Sequence, residues 1–119
     1  MEEWQLDFEW LRIQNMVKEF LGTDKIPDMN TMLILIGIQE LGIWQSKWTK
    51  EEKQDLMHVA VCRLLSQDGY YEFVGRDNDG WPHYKQIRKI DSSGIENQEL
   101  LLKREAIKYF DILSKDNNW

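Results

Sequence analysis

A nearly unbroken apolar run near the middle of the chain constrains its fold more than any other feature. Across residues 32–38 a single glycine interrupts the apolar side chains, so no polar stripe is left to face water. A helix that is apolar on every side is buried on every side. Asp28 or Asn30 can cap its start, and Gly42 can end it in a left-handed conformation. The run therefore predicts a buried central helix over 29–42, with a buried strand as the alternative.

Length and composition predict one domain, residues 1–119, with a real core. A chain of this length buries roughly two-thirds of its unfolded surface, and the six tryptophans need places in a core or an interface. The single cysteine, Cys62, excludes an intramolecular disulfide and a multi-cysteine zinc motif. The acidic N-terminus has no apolar segment typical of a signal peptide, so we expect a cytoplasmic protein. The apolar run is too short to cross a membrane. We also expect no cofactor.

Two amphipathic helices are predicted at the ends of the chain. The first covers about 4–21, and its apolar stripe consists of Leu6, Trp10, Ile13, Val17, Phe20 and Leu21. The last covers about 95–113, starts with a capping box from Ser93 to Glu96, and is followed by a polar tail, 114–119, that we expect to be frayed. Its stripe consists of Leu102, Ala106, Tyr109, Phe110 and Leu113.

Both terminal helices also carry apolar residues away from these stripes. In the first helix they are Trp4, Phe8 and Leu11, and in the last they are Leu101 and Ile112. Such residues either make a second packing contact within the domain or contact a partner chain. The second alternative gives the hypothesis that the terminal helices carry a homodimer interface.

A third helix begins at Thr49 and ends before Gly69. Thr49 and Glu52 have the spacing of a capping box, in which each side chain bonds the backbone N–H of the other residue. A broad apolar face follows, made of Leu56, Met57, Val59, Ala60, Val61, Leu64 and Leu65.

Residues 70–87 predict a β-hairpin with 77–80 as its turn. The predicted register pairs Arg76 with Trp81, Val74 with His83, Glu72 with Lys85, Phe73 with Tyr84 and Tyr70 with Ile87. Pro82 lacks an N–H and belongs on a sheet edge. This register places a predicted partner-binding set on the face away from the helices: Arg76, Trp81, His83 and Lys85. The alternative is that Trp81 only stacks on Arg76 as an exposed cation–π pair.

No residue set predicts catalysis or metal binding. His58 and Cys62 are four residues apart on the third helix and could form an imidazole–thiolate pair. Their stripe, however, lies opposite the apolar face, where a solvated polar surface is expected. His58, Cys62 and His83 include metal-ligand types, but their spacing does not require a metal. The turn 77–80 lacks the glycine and glutamate positions of a calcium loop.

The order of elements resembles that of winged-helix proteins. Residues 61–70, Val-Cys-Arg-Leu-Leu-Ser-Gln-Asp-Gly-Tyr, resemble the end of a recognition helix that leads into its wing. The resemblance implies that Arg76, Lys85, Arg88 and Lys89 reach phosphates. The sequence departs from the pattern in the long connection before the third helix and in the acidic residues Glu51 and Asp55.

Two segments also resemble a family of small uncharacterised bacterial proteins. They are residues 49–58, from Thr49 to His58, and residues 79–83, Asp-Gly-Trp-Pro-His. The resemblance covers 27–110. The family has no assigned activity, so the resemblance implies no function.

These features predict a mostly helical α+β protein that acts as a non-enzymatic interaction or assembly module for a protein partner. A winged-helix nucleic-acid binder is the alternative, and an enzyme of unrecognised type ranks third. The net charge of −6 argues against binding to a polyanion.

Overall fold

The computed structural model describes residues 2–90 and 95–117 and contains four helices and one two-stranded antiparallel hairpin. In chain order the elements are α1 (Glu3–Leu21), α2 (Met29–Leu41), α3 (Lys50–Ser66), β1 (Tyr71–Arg76), β2 (Pro82–Gln86) and α4 (Ile95–Asn117). The predicted class and element order are confirmed. The helices α1 and α4 belong to one compact unit, the terminal unit, and α2, α3 and the hairpin belong to another, the central unit. That residues 1–119 form one domain stays a prediction.

In the terminal unit, α1 buries most of its predicted stripe. The buried residues are Leu6, Trp10, Ile13 and Val17. The last two predicted members, Phe20 and Leu21, are exposed by 51% and 42%. They lie where the helix ends, because Gly22 takes a left-handed φ of 67° and its amide bonds back to the helix.

The helix α4 buries the middle of its predicted stripe and runs longer than expected. Ala106, Tyr109 and Phe110 are buried. The helix continues to Asn117, past the predicted end at Leu113. The predicted capping box from Ser93 to Glu96 lies outside the described residues. On the solvent side, Nη2 of Arg12 lies 3.0 and 3.1 Å from the two carboxylate oxygens of Asp111, which connects α1 with α4.

In the central unit, the apolar run forms a helix and not a strand. The buried residues of α2 are Met32, Leu33, Leu35, Ile36, Gly37, Ile38 and Leu41. Gly42 has a left-handed φ of 81°, and its amide donates to the carbonyl of Ile38 at 2.9 Å, as a helix C-terminus requires. Within residues 2–90 and 95–117, no helix is both long enough and apolar enough to cross a membrane.

The predicted capping box of α3 is confirmed. The amide of Glu52 donates to Oγ1 of Thr49 at 3.1 Å, and the amide of Thr49 donates to Oε1 of Glu52 at 2.8 Å. The predicted solvated stripe is confirmed at three of its four positions. Glu51, Asp55 and His58 are exposed, but Cys62 is buried, because the hairpin returns over this side of the second half of α3.

The hairpin keeps the predicted register at its open end and changes it near the turn. Glu72 pairs with Lys85 and Phe73 with Tyr84, as predicted. Beyond them the register shifts by one at a β-bulge, so the pairs are Gly75 with His83 and Arg76 with Pro82. The predicted pairs Val74–His83 and Arg76–Trp81 are therefore wrong. Val74 is the extra residue of the bulge, and Trp81 belongs to the turn.

Candidate functional site

A cavity of about 410 Å³ lies between α3 and the hairpin in the central unit. It brings together polar groups that are distant in the sequence. The lining residues are Asp55, His58, Val59 and Cys62 from α3, and Asp77, Asp79, Trp81, Pro82, His83 and Tyr84 from the hairpin.

The α3 wall of the cavity holds the His58–Cys62 pair. The Cys62 sulfur lies 3.7 Å from Nε2 of His58. Burial raises the pKa of the Cys62 thiol. A nucleophilic cysteine needs a lowered pKa, so the pair does not have the electrostatics of a thiolate–imidazolium catalyst.

The hairpin wall is organised by Asp77. Its Oδ1 accepts hydrogen bonds from the amides of Asp79 and Trp81 at 2.9 and 3.0 Å, and its Oδ2 lies 2.9 Å from Nε2 of His83. The hydrogen bond with His83 is the main cause that lowers the pKa of the Asp77 carboxyl, followed by the bond from the Trp81 amide. Asp77 therefore fixes the turn and orients the imidazole of His83.

Arg76, a predicted partner-binding residue, is engaged within the central unit. Its guanidinium donates to the carbonyls of Glu40 at 2.7 Å, Leu41 at 3.3 Å and Gly80 at 2.8 Å. Glu40 and Leu41 form the end of α2, where carbonyls lack helical partners and the helix dipole favours a cation. Arg76 thus joins the hairpin turn to the C-terminus of α2.

The predicted outward position of Trp81 is wrong. Its side chain is half-buried and packs against a cluster formed by Ile38, Leu41 and Leu56. The amide of Trp81 donates a hydrogen bond to Oδ1 of Asp77, and its indole lies toward the helices. Trp81 therefore does not stack outward on Arg76. The other two members of the predicted set, His83 and Lys85, are exposed.

The predicted binding set is thus divided by the structure. Trp81 and His83 line the cavity, Arg76 bonds to α2, and Lys85 faces Glu72 across the hairpin. Their role in binding a partner stays a prediction. Tyr84 completes the cavity wall, and burial, together with the nearby negative charge of Glu40, raises the pKa of its phenol.

The side chains around this cavity do not form a ready metal centre. Across the described ranges 2–90 and 95–117, no three His, Cys, Asp or Glu groups converge closely enough to hold an ion as placed. His58, Cys62 and His83 nevertheless face one space, which their sequence spacing did not predict. The available sequence signal for this cavity was the spacing of Asp55, His58 and Cys62, which places them on one stripe of α3.

The terminal unit carries a separate exposed surface, the α1 outer face, made of Trp4, Phe8 and Leu11. Their exposed fractions are 68%, 65% and 45%. Beside it lies a cavity of about 550 Å³ between α1 and α4. Its lining residues are Trp4, Gln5, Phe8, Glu9, Ile107 and Asp111.

Comparison of the chain with protein-family models, curated proteins and solved structures found no match. Both resemblances drawn from the sequence, to winged-helix domains and to small bacterial proteins, therefore stay predictions.

Proposed function

We propose that this protein is a non-enzymatic interaction module that pairs with a second copy of itself through the α1 outer face. The observation that carries the proposal is the exposure of Trp4, Phe8 and Leu11 on one helical stripe. Contiguous apolar surface of this kind is typical of interaction sites, whereas scattered apolar residues are ordinary. Aromatic residues are also enriched in interfaces.

The spacing of residues along α1 favours a second copy as the occupant. Trp4 and Lys18 lie on the same stripe, each seven residues from Leu11. If two α1 helices pair antiparallel about Leu11, Lys18 of each copy lies over Trp4 of the other. A cation over an indole contributes about 0.5–1 kcal/mol at an exposed site, and two-fold symmetry forms the contact twice.

The dipoles of the paired α1 helices favour the same antiparallel arrangement. Glu3 lies in the first turn and Lys18 in the last turn. The last turn also holds Glu19, so its charge is balanced, and what favours the antiparallel arrangement is that it opposes the two helix dipoles. In α4 of the same unit, Ile112 is 55% exposed and adds apolar surface.

The test is the molar mass in solution, measured by size-exclusion chromatography with light scattering at micromolar concentration. We expect the wild type to have the mass of a dimer and Phe8→Glu to have the mass of a monomer. Trp44→Glu is the matched control, because Trp44 is an aromatic residue of the central unit that is 58% exposed. A monomeric wild type, or a dimer that Phe8→Glu leaves intact, would refute the proposal.

Nucleic-acid binding is less well supported, because the arginines that it requires have other partners. Arg76, one of the predicted phosphate contacts, bonds to the end of α2. Arg88 stacks 4.2 Å from the ring centroid of Tyr70 and bonds to the carbonyl of Asp68 at 2.5 Å. With a net charge of −6, we expect no duplex binding at physiological salt in a fluorescence-anisotropy titration. Sub-micromolar binding that weakens as salt rises would favour the nucleic-acid alternative.

A further inference from the structure

We propose that the cavity between α3 and the hairpin binds a primary alkylammonium group, either of a lysine side chain or of a free amine. The cavity of about 410 Å³ lies within the central unit. Its size falls within the range of about 300–1,000 Å³ that is typical of small-molecule sites. Its lining combines buried apolar residues, aromatic side chains and exposed carboxylates, which together suit an alkyl chain that ends in a cation. The site is independent of the α1 outer face and of self-association.

The buried part of the cavity lining is apolar and aromatic. Val59 and Cys62 on α3 are only 5% and 3% exposed, and Pro82 on β2 is also buried. The half-buried rings of Trp81 and Tyr84 line the same cavity. Apolar side chains favour contact with the methylene groups of a ligand. Tryptophan and tyrosine rings attract a cation that lies within about 6 Å of the ring centroid.

The exposed part of the lining is acidic and lacks a counter-charge. Asp55 on α3 and Asp79 in the hairpin turn both line the cavity and are exposed. Within residues 2–90 and 95–117, neither carboxylate forms a hydrogen bond or an ion pair. The described lining residues include no lysine or arginine. Asp77 adds a third carboxylate, and its bonds to His83 and to the turn amides stay in place when a cation binds.

The arrangement of these carboxylates favours an organic cation over a metal ion. A metal ion requires ligands that converge on one point, and no three acidic, histidine or cysteine groups of the described residues do so. An ammonium group on a flexible chain needs no such convergence. Asp55 and Asp79 belong to different elements, so the fold brings like charges to one opening. A bound cation relieves their repulsion, whereas an anion adds to it.

The test is a nitrogen–proton NMR titration of the full chain with two amines, N-acetyl-lysinamide and cadaverine. We expect saturable shifts of the indole N–H of Trp81 and of the amides around the cavity. The same lysine derivative acetylated on its ε-amine has no positive charge and should bind much more weakly. The double variant Asp55→Asn/Asp79→Asn should weaken amine binding by about tenfold, since each exposed charge contributes modestly. Glu51→Gln is the matched control, because Glu51 is an exposed acid of α3 outside the lining.

The substituted carboxylates are exposed, so these variants should keep the fold, and circular dichroism checks this. Tighter binding of N-acetyl-lysinamide than of cadaverine would support the proposal with a lysine side chain as the ligand, and the reverse order would support it with a free amine. The proposal is overturned if neither amine shifts the cavity signals, if the ε-acetylated derivative binds as tightly as the charged one, or if the double variant keeps the wild-type affinity.

Discussion

Gly37 is the residue at which the central unit tolerates a side chain least. A Cβ at this position would overlap the backbone carbonyl of Leu56 on α3. The glycine that interrupts the apolar run therefore lets α2 and α3 approach closely. The sequence predicted that α2 is buried, but the need for glycine depends on where α3 crosses, which local patterns do not encode.

We expect Gly37→Ala to lower the free energy of unfolding by about 1–3 kcal/mol or more, because an added methyl overpacks a backbone contact. This outweighs the better helix propensity of alanine, which is about 1 kcal/mol. Urea denaturation followed by circular dichroism measures the change. The control is Gln39→Ala at an exposed position of α2, which should stay within about 0.5 kcal/mol of the wild type. Equal stability of Gly37→Ala and wild type would contradict the close packing.

Asp77 makes the stability of the hairpin turn depend on pH. Its lowered pKa, caused first by the bond with His83, means that the folded protein favours the ionised carboxylate. The stabilisation is therefore fully present above the pKa of an unfolded Asp, about 3.9, and is lost as the pH falls through the lower folded-state pKa.

The stability difference between wild type and Asp77→Asn should thus be constant near neutral pH and shrink below about pH 4. Urea midpoints measured from neutral pH to about pH 3 test this. Asp24→Asn serves as the control, since Asp24 is an exposed residue of the connection between α1 and α2. A difference that stays the same down to pH 3 would show that ionisation of Asp77 does not stabilise the fold.

At the level of elements, the sequence predicted best where the determinants are local. The Thr49–Glu52 capping box and the left-handed Gly42 set the ends of helices through contacts within one turn. The hairpin turn and the Glu72–Lys85 pair were also predicted, because alternation and turn residues define them.

The bulge at Val74 has a local signal in Gly75, an isolated strand glycine with a φ of 137°, but the contacts that the bulge makes depend on packing between elements. A one-residue shift there accompanies the inward position of Trp81 and the bonds from Arg76 to α2. The burial of Cys62 has the same origin, since the hairpin covers that side of α3. The sequence therefore predicts the helix and the hairpin that line the cavity, whereas the contact between them depends on tertiary packing.

The inward position of Trp81 changes the expected effect of its removal. The indole packs against Ile38, Leu41 and Leu56, so Trp81→Ala should destabilise the central unit by about 1–3 kcal/mol. Trp44→Ala, at a residue that is 58% exposed, should change stability by less than about 0.5 kcal/mol. Urea denaturation of both variants makes the comparison. Equal midpoints would mean that Trp81 does not anchor the hairpin to the helices.

In the proposed dimer, two whole molecules pair antiparallel through α1 with Leu11 near the two-fold axis. Cys62 is the chain's single cysteine and is buried, so an introduced surface cysteine is the accessible thiol. A cysteine near a two-fold axis lies beside the same cysteine of the partner protomer. A disulfide can form when the Cα atoms of the two cysteines are about 4.4–6.8 Å apart.

The most direct measurement is therefore oxidative crosslinking of Leu11→Cys, read as the yield of covalent dimer on a non-reducing gel. We predict rapid and nearly complete dimer formation for Leu11→Cys, and little for Trp44→Cys in the exposed loop of the central unit. The antiparallel α1 interface would be contradicted if both variants gave equally low dimer yields. It would also be contradicted if the two variants gave the same yield as each other at every protein concentration.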